Sequence, residues 1–281
     1  MSYNEFLDEF CFGSDFELPV YDKQKRSYVS AQGLLPGTKE DPFDINFGAI
    51  QVDCTNAEFN IRPITFYFYE KGNHLSRDLA QTFLNRVSMV KRYTEFRYLP
   101  THKYTLMARG AVIYKKLNNP KDWIFGCDPD YNAWLNGEIN EKPDPLRAYS
   151  VLLRTAATHF HFSHPVFEDK SESNRFARLF DLYVTLPFLF IDLDTRRRQL
   201  YGKAGAIRYT RYGDKPGVEI RTISSKILDK NIYVYKMMTN MVRSIKAFYD
   251  GDDITHEVIP MIINNHDLEK ASKIVKKLEL L

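Results

Sequence analysis

The sequence has little of what would mark a secreted scaffold, a membrane protein or a nucleic-acid binder. It holds three cysteines in 281 residues, Cys11, Cys54 and Cys127. Their odd number and wide separation exclude a disulfide framework and a CxxC metal knuckle, and fit a reducing compartment. The longest apolar stretch, "LYVTLPFLFI" from Leu182 to Ile191, is too short for a bilayer and contains Pro187. "MSYNEFLDEF" carries acids where a signal peptide would carry positive charge, so the expected location is cytoplasmic. The net charge is only +3, and basic and acidic residues are interleaved, which leaves no basic block for nucleic acid. Internal repeats, low-complexity tracts, interdomain linkers and a Walker-type glycine-rich phosphate loop are also missing.

What is present is an ordinary globular composition, 44% hydrophobic and 27% charged, enriched in aromatics through 20 Phe and 18 Tyr. A chain of this length buries a core without staples. "FCFGSDFELPVY" (Phe10 to Tyr21) alternates as a strand that puts Asp15 and Glu17 on one face. Gly33 to Gly48 reads as a long loop. "AIQVDCTNAEFNIRP" reads as two strands joined by a turn near Thr55 and Asn56, with Glu58 in the second strand and Pro63 closing it. Leu75, Leu79, Phe83, Val87 and Val90 recur at helical spacing, predicting a helix from about His74 to Phe96.

Farther on, Tyr104 to Tyr114 reads as a strand, and "FGCDPDYNAW" (Phe125 to Trp134) as an acidic turn. Tyr149 to Ser163 reads as a long strand ending in "THFHFS". A helix from about Glu172 to Leu186 is stopped by Pro187. "GAIRYTRYG" and "GVEIRTIS" form a hairpin connected through Gly213 to Gly217, and two helical segments follow at Ile232 to Tyr249 and Asp267 to Leu280. The order of elements predicts one α+β domain over residues 1–281, with its motifs in 10–225 and a helical segment in 226–281.

Positions two apart in a strand share a face, so Asp15 with Glu17, His159 with His161, and Glu219 with Arg221 each present two groups together. For any one pair, the solvent face of a half-buried sheet is the commoner explanation. If the faces converge, they form a carboxylate-rich pocket with histidine and arginine. Zinc on the H-x-H strand, serving a hydrolase, is one reading. Several carboxylates with few nitrogens suit magnesium and substrate phosphates better. The acids Asp128 and Asp130, on either side of Pro129, fit simple turn chemistry. Cys127 reads as a packed thiol.

In chain order these stretches resemble the site strands of carboxylate-amine ligases of the glutamine synthetase and glutamate-cysteine ligase superfamily. "GSDFELPVYD" resembles the opening G-(S/P)-(D/E)-P-E-F-F-x-x-D strand, "THFHFSH" the later H-x-H strand, and "AIRYTRYGDKPGVEIRTIS" the I-R-x-P and R-(I/V)-E-x-R segments. The ensemble is similar to phage-encoded COOH-NH2 ligases through "GSDFE", "GLLPGTKEDP", "GAIQVDCTNAEFNIRP", "GCDPDYNAW" and "RQLYGKAGAIRY", spanning residues 13–225. Two departures stand out. Phe16 replaces the usual Pro, and "ATHFH" replaces a Gly-rich approach, so Thr158 is expected to crowd the site.

The resemblance implies a mostly antiparallel, glutamine-synthetase-like sheet forming a concave active site flanked by helices. It implies ATP-dependent amide formation through an acyl phosphate, with Mg2+, or Mn2+ in its place. Asp15, Glu17, Glu58, His159 and Glu219 would be metal ligands, with Gln51 or Asp53 assisting. Glu58, Arg208 and Arg221 would carry the chemistry. His159 would face metal and phosphate and His161 the nucleotide, with Lys203 and Arg211 also on the nucleotide. Asp53, Asp128, Asp130 and Arg198 would hold substrate. The partners implied are a small-molecule or peptide carboxylate and an amine, in the host cytoplasm, without nucleic acid or membrane. A noncatalytic phage protein that kept the fold is the remaining alternative.

Overall fold

A computed structural model describes residues 1–72, 74–124, 130–144, 146 and 150–280. In chain order the strands are β1 (Cys11–Leu18), β2 (Val20–Asp22), β3 (Ser27–Val29), β4 (Phe43–Ile45), β5 (Gly48–Asp53), β6 (Asn56–Thr65), β7 (Tyr104–Leu106), β8 (Ala111–Ile113), β9 (Tyr131–Asn132), β10 (Glu138–Ile139), β11 (Leu153–Thr155), β12 (Thr158–Ser163), β13 (Ala206–Tyr212) and β14 (Lys215–Ile220). The helices are α1 (Tyr3–Glu9), α2 (Leu75–Arg97), α3 (Lys170–Phe180), α4 (Leu186–Phe188), α5 (Asn231–Tyr249), α6 (Val258–Asn265) and α7 (Leu268–Lys277).

Nine strands make one antiparallel sheet in the order β10-β9-β13-β14-β12-β1-β6-β5-β4. Its centre is two-faced because the sequence alternates. Phe12 and Phe16 of β1, Phe59 of β6, and Phe160 and Phe162 of β12 are all fully buried. Phe12 stacks on Phe160 at 5.6 Å between ring centroids, and Phe162 meets Phe176 of α3 at 4.9 Å. Each such ring contributes roughly 1.5–3 kcal/mol through removal from water. Helix α2, with Leu75, Leu79, Phe83, Val87 and Val90 inward, packs on β5, β6 and α5, and α3 packs on β13, β14 and α5. The fold is therefore α+β, a large antiparallel sheet with helices on its apolar side. A second apolar cluster joins Leu186 and Leu189 to Ile259, Ile262, Ile263 and Val275 of α6 and α7. Among the described residues no helix is long and apolar enough to cross a membrane.

The structure departs from the sequence reading in several places. The stretch Gly33 to Gly48 contains β4, which pairs with β5. Strand β6 runs through Pro63 to Thr65: Pro63 lies beyond the last β5 pair, Gly48 with Ile61, and opposite a register irregularity in β1, so its missing N–H interrupts no regular ladder. Tyr104 to Tyr114 splits into β7, which pairs with β2, and β8, which pairs with β11. Tyr149 to Ser163 likewise splits at Ala156 and Ala157, with β11 in the small sheet and β12 at the centre of the large one. Pro187 does not stop its helix. A π-helical turn at Asp181–Thr185 shifts the hydrogen bonds, the Leu186 N–H reaching Asp181, and α4 continues to Phe188. The β13–β14 turn is only Gly213 and Asp214, and Gly217 lies within β14 opposite Thr210. Helix α6 is an element the sequence reading did not contain.

His164 is buried beside α1, its ring 4.3 Å from that of Phe6 and 4.9 Å from that of Phe10. Its Nδ1 accepts from the Val166 N–H at 3.1 Å, and its Nε2 lies 3.6 Å from the Glu9 carboxylate. Burial lowers its pKa to about 4. The unfolded chain therefore takes up this proton first, and the stabilisation present above pH about 6.5 is lost as pH falls towards about 4. We expect unfolding free energy measured in urea to fall by about 2.5 kcal/mol between pH 7 and 4.5 from this group. His164→Asn keeps a capping acceptor and should flatten that part of the curve; parallel curves for the two proteins would exclude His164 as the cause.

Candidate active site

Directly opposed residues in an antiparallel ladder share a face. The pairs Asp15 with His159, Glu17 with Glu58, Gln51 with Glu58, His161 with Glu219, and Arg208 with Glu219 therefore place all these side chains on the side opposite the phenylalanines. Asp53 is in phase with Gln51, and Arg221 follows Glu219 just past the end of β14. One polar face thus runs across β5, β6, β1, β12, β14 and β13. Phe16 and Thr158, paired with each other, both point the other way. Thr158 is fully buried on the apolar side and does not crowd the polar face.

The acids are close enough to govern one another. Glu58 is 5% exposed, and its Oε2 has no hydrogen-bond partner among the described residues. Burial first, then the charges of Asp15, Asp53 and Glu17, hold its carboxyl well above the usual carboxylate range. Burial and Asp53 raise Glu17 to about 8, although its Oε2 accepts from the Ala157 N–H at 2.8 Å. Burial also opposes the charge of Asp15, but His159 and His161 outweigh it and hold that carboxyl well below the usual range. Glu219 is lowered in the same way, with Arg221 and His159 overcoming burial.

The two histidines differ. His159 Nδ1 lies 2.9 Å from Asp15 Oδ1 and 3.5 Å from Glu219 Oε1, and burial with Arg221 nearby pulls its pKa down. His161 turns its Nε2 to Asp15 Oδ2 at 3.2 Å, while its Nδ1 is 2.6 Å from the Tyr212 hydroxyl. Burial disfavours the His161 cation too, but Asp15 and Glu219 outweigh it and raise the pKa. The group of described residues with ligand atoms close enough for one metal ion is Asp15, His161 and Glu219. The resemblance would put His159 on the metal instead.

The polar face opens into a cleft with two ends. One, small and open to solvent, is lined by Glu17, Asp53, Asp130, Arg154, Arg197 and Arg221. The other, about 680 Å³ and also open, is lined by Asp15, Lys39, Gln51, Glu58, His161 and Tyr212. Arg221 is buried, contacts Glu219 through Nη1, and has Nε 3.6 Å from Asp130 Oδ2. Arg208 lies 3.7 Å from Glu219 Oε2. Lys39 lies 3.6 Å from Asp53 Oδ2.

Three candidates from the sequence lie elsewhere. Arg211 is one residue out of phase with Arg208 and Tyr212, so it leaves the polar face; it forks onto Glu168 at 2.9 and 3.1 Å near the tip of the hairpin. Arg198 turns towards His266, 3.4 Å away, on the side of the C-terminal helices. Lys203 is exposed and lines neither end of the cleft. Asp128 and Cys127 lie outside the described residues.

Three residues not singled out from the sequence do line the cleft. Arg197 is the neighbour of Arg198 in a 3-10 turn, and that turn selects which of the two faces inward. It donates to the Thr222 and Arg221 carbonyls at 3.0 and 2.9 Å. Gly202, at φ +74°, makes this possible, because a Cβ there would fall on the Arg197 guanidinium. Burial and Arg198 bring the Arg197 pKa down to about 10. Arg154 donates to the Asp122 carbonyl and lies over the Trp123 ring at 5.4 Å. Tyr212 could have been found by continuing the alternation Arg208, Thr210, Tyr212 along β13.

No family model matches this chain, and no curated protein matches it. Among solved structures it is similar to a bifunctional glutathione synthetase from Pasteurella multocida, at 10% identity and a TM-score of 0.39. The likeness covers 99% of this chain and 45% of that one, so the chain spans less than half of that protein's length. A likeness this slight carries no argument about fold family or activity.

Proposed function

We propose that this chain is an ATP- and Mg2+-dependent carboxylate-amine ligase that forms an amide through an acyl phosphate. The observation that carries the reading is the gathering of Asp15, Glu17, Asp53, Glu58 and Glu219 beside buried guanidiniums, with an oxygen of Glu58 left without a partner among the described residues. Hard oxygen donors that repel one another fit divalent cations, and the guanidiniums beside them fit phosphate and carboxylate. The order of the motifs along the chain supports the same reading.

When bound, divalent ions would neutralise the ATP phosphates and align the γ-phosphoryl group. Asp15, Glu17, Glu58 and Glu219 would hold them, with Gln51 fixing Glu58. Arg221 and Arg208 stabilise charge on the phosphoryl group as it passes to an oxygen of the substrate carboxylate, giving acyl phosphate and ADP. Asp53 and Asp130 present negative charge to the incoming ammonium, and Asp130 takes the proton the amine must shed. The neutral amine then attacks the acyl carbon and inorganic phosphate leaves. Arg197 and Arg154 line the end of the cleft where a substrate carboxylate fits.

The group Asp15, His161 and Glu219 favours a second reading, a transition-metal hydrolase, which leaves Glu17, Glu58 and Asp53 unused. Metal analysis after dialysis and calorimetry with Mg2+ and ATP separate the two. The ligase reading predicts Mg2+ binding that strengthens with ATP, and phosphate release that depends on a carboxylate and an amine, with product mass matching their amide. Stoichiometric zinc surviving dialysis, with no ATP-dependent Mg2+ binding, would sink it. Absence of ATP binding under every metal condition would leave a noncatalytic protein.

A further inference from the structure

We infer that His161, and not His159, supplies the nitrogen ligand of a cation site completed by Asp15 and Glu219, and that Tyr212 is the residue that positions it. The inference rests on the cation-binding reading of this face. His161 Nε2 lies 3.2 Å from Asp15 Oδ2 but out of hydrogen-bond geometry, as two groups sharing an ion would lie. One oxygen or nitrogen each of Asp15, His161 and Glu219 fall within 4.8 Å of one another. Glu58, 5% exposed, lines the same end of the cleft beside Asp15 and keeps Oε2 without a partner among the described residues.

His159 is differently employed. Its Nδ1 lies between the two carboxylates, 2.9 Å from Asp15 Oδ1, likewise outside hydrogen-bond geometry, and 3.5 Å from Glu219 Oε1, and it falls outside the described group whose ligand atoms meet. On His161 the other ring nitrogen is taken by Tyr212 at 2.6 Å, the rings meeting edge to face. An ion on Nε2 requires the proton on Nδ1, which then donates to the Tyr212 oxygen; such partners fix tautomer and ring orientation. Gly217 accommodates this arrangement, since a Cβ there would come within 2.5 Å of the Tyr212 ring. One imidazole with two carboxylates gives the site a preference for Mn2+ over Mg2+, because imidazole suits softer ions.

The test uses Mn2+ alone on the full chain, without ATP, and reads nitrogen coupling to the ion by pulsed electron paramagnetic resonance together with affinity by titration. Coupling should be present in the wild type and in His159→Asn and lost in His161→Asn. Tyr212→Phe keeps the ring and should weaken Mn2+ binding about 10- to 100-fold. Coupling that survives in His161→Asn and disappears in His159→Asn would overturn the assignment, as would its absence in the wild type. Unchanged Mn2+ affinity in Tyr212→Phe would remove the positioning role. Should His161→Asn not fold, the His159→Asn and Tyr212→Phe results decide. Because no ATP is present, the ligase reading can fail on phosphate release while this result stands, and the reverse.

Discussion

Glu58→Gln should lower ATP-dependent phosphate release by about 100-fold or more while leaving the thermal midpoint unchanged or raised. Both halves follow from one environment. Glu58 is buried among Asp15, Asp53 and Glu17, which hold its carboxyl well above the usual range. Without an ion the carboxyl is costly to ionise, and the isosteric amide has no such cost while keeping a polar group next to Gln51. With ions and phosphates present the same charge is a ligand, and its loss appears in turnover. Opposite effects on activity and stability mark residues retained for function at a cost in stability. Measured turnover within a few-fold of wild type would remove Glu58 from the chemistry, and a lowered midpoint with proportionate loss of activity would make it structural.

Arg221→Ala should lose about 100- to 1000-fold in turnover and also be less stable. Arg221 is 4% exposed and pairs with Glu219, which is 6% exposed, so truncation leaves a buried carboxylate without its principal cation. Such a loss costs about 3–5 kcal/mol. Arg221→Lys separates the two effects. The ammonium keeps the charge near Glu219 but cannot fork onto phosphate or carboxylate. The Lys variant should therefore fold, and its kcat should still fall well below wild type with a smaller change in KM. Near-normal kcat in Arg221→Lys would mean that charge alone, and not the planar fork, is what the site uses.

Much of this face was legible in the chain because strand alternation is local. Asp15 and Glu17, His159 and His161, and Glu219 and Arg221 each share a face by period alone, and Phe12, Phe16, Phe160 and Phe162 mark the opposite side. Arg208 came from the family resemblance; the same rule would have placed it together with Tyr212 and excluded Arg211. It failed where chain direction changes. Arg197 and Arg198 are adjacent in a 3-10 turn, and nothing in their own spacing says which turns inward. Pro187 suggested a helix end, yet a π-helical turn that ends two residues before it lets the helix run on to Phe188.

The amino-acid order on its own settled which side chains share a face of each strand, since that depends only on pleat and parity. It did not settle that β12 lies between β1 and β14, with β6 and β5 beyond β1, because strand order is made by contacts between residues distant in sequence. That order turns isolated pairs into one continuous cluster of acids, imidazoles and guanidiniums. It also decides how the two histidines divide. His159, opposite Asp15, is drawn between two carboxylates, whereas His161, opposite Glu219, is held by Tyr212 and turns its free nitrogen to the same acids.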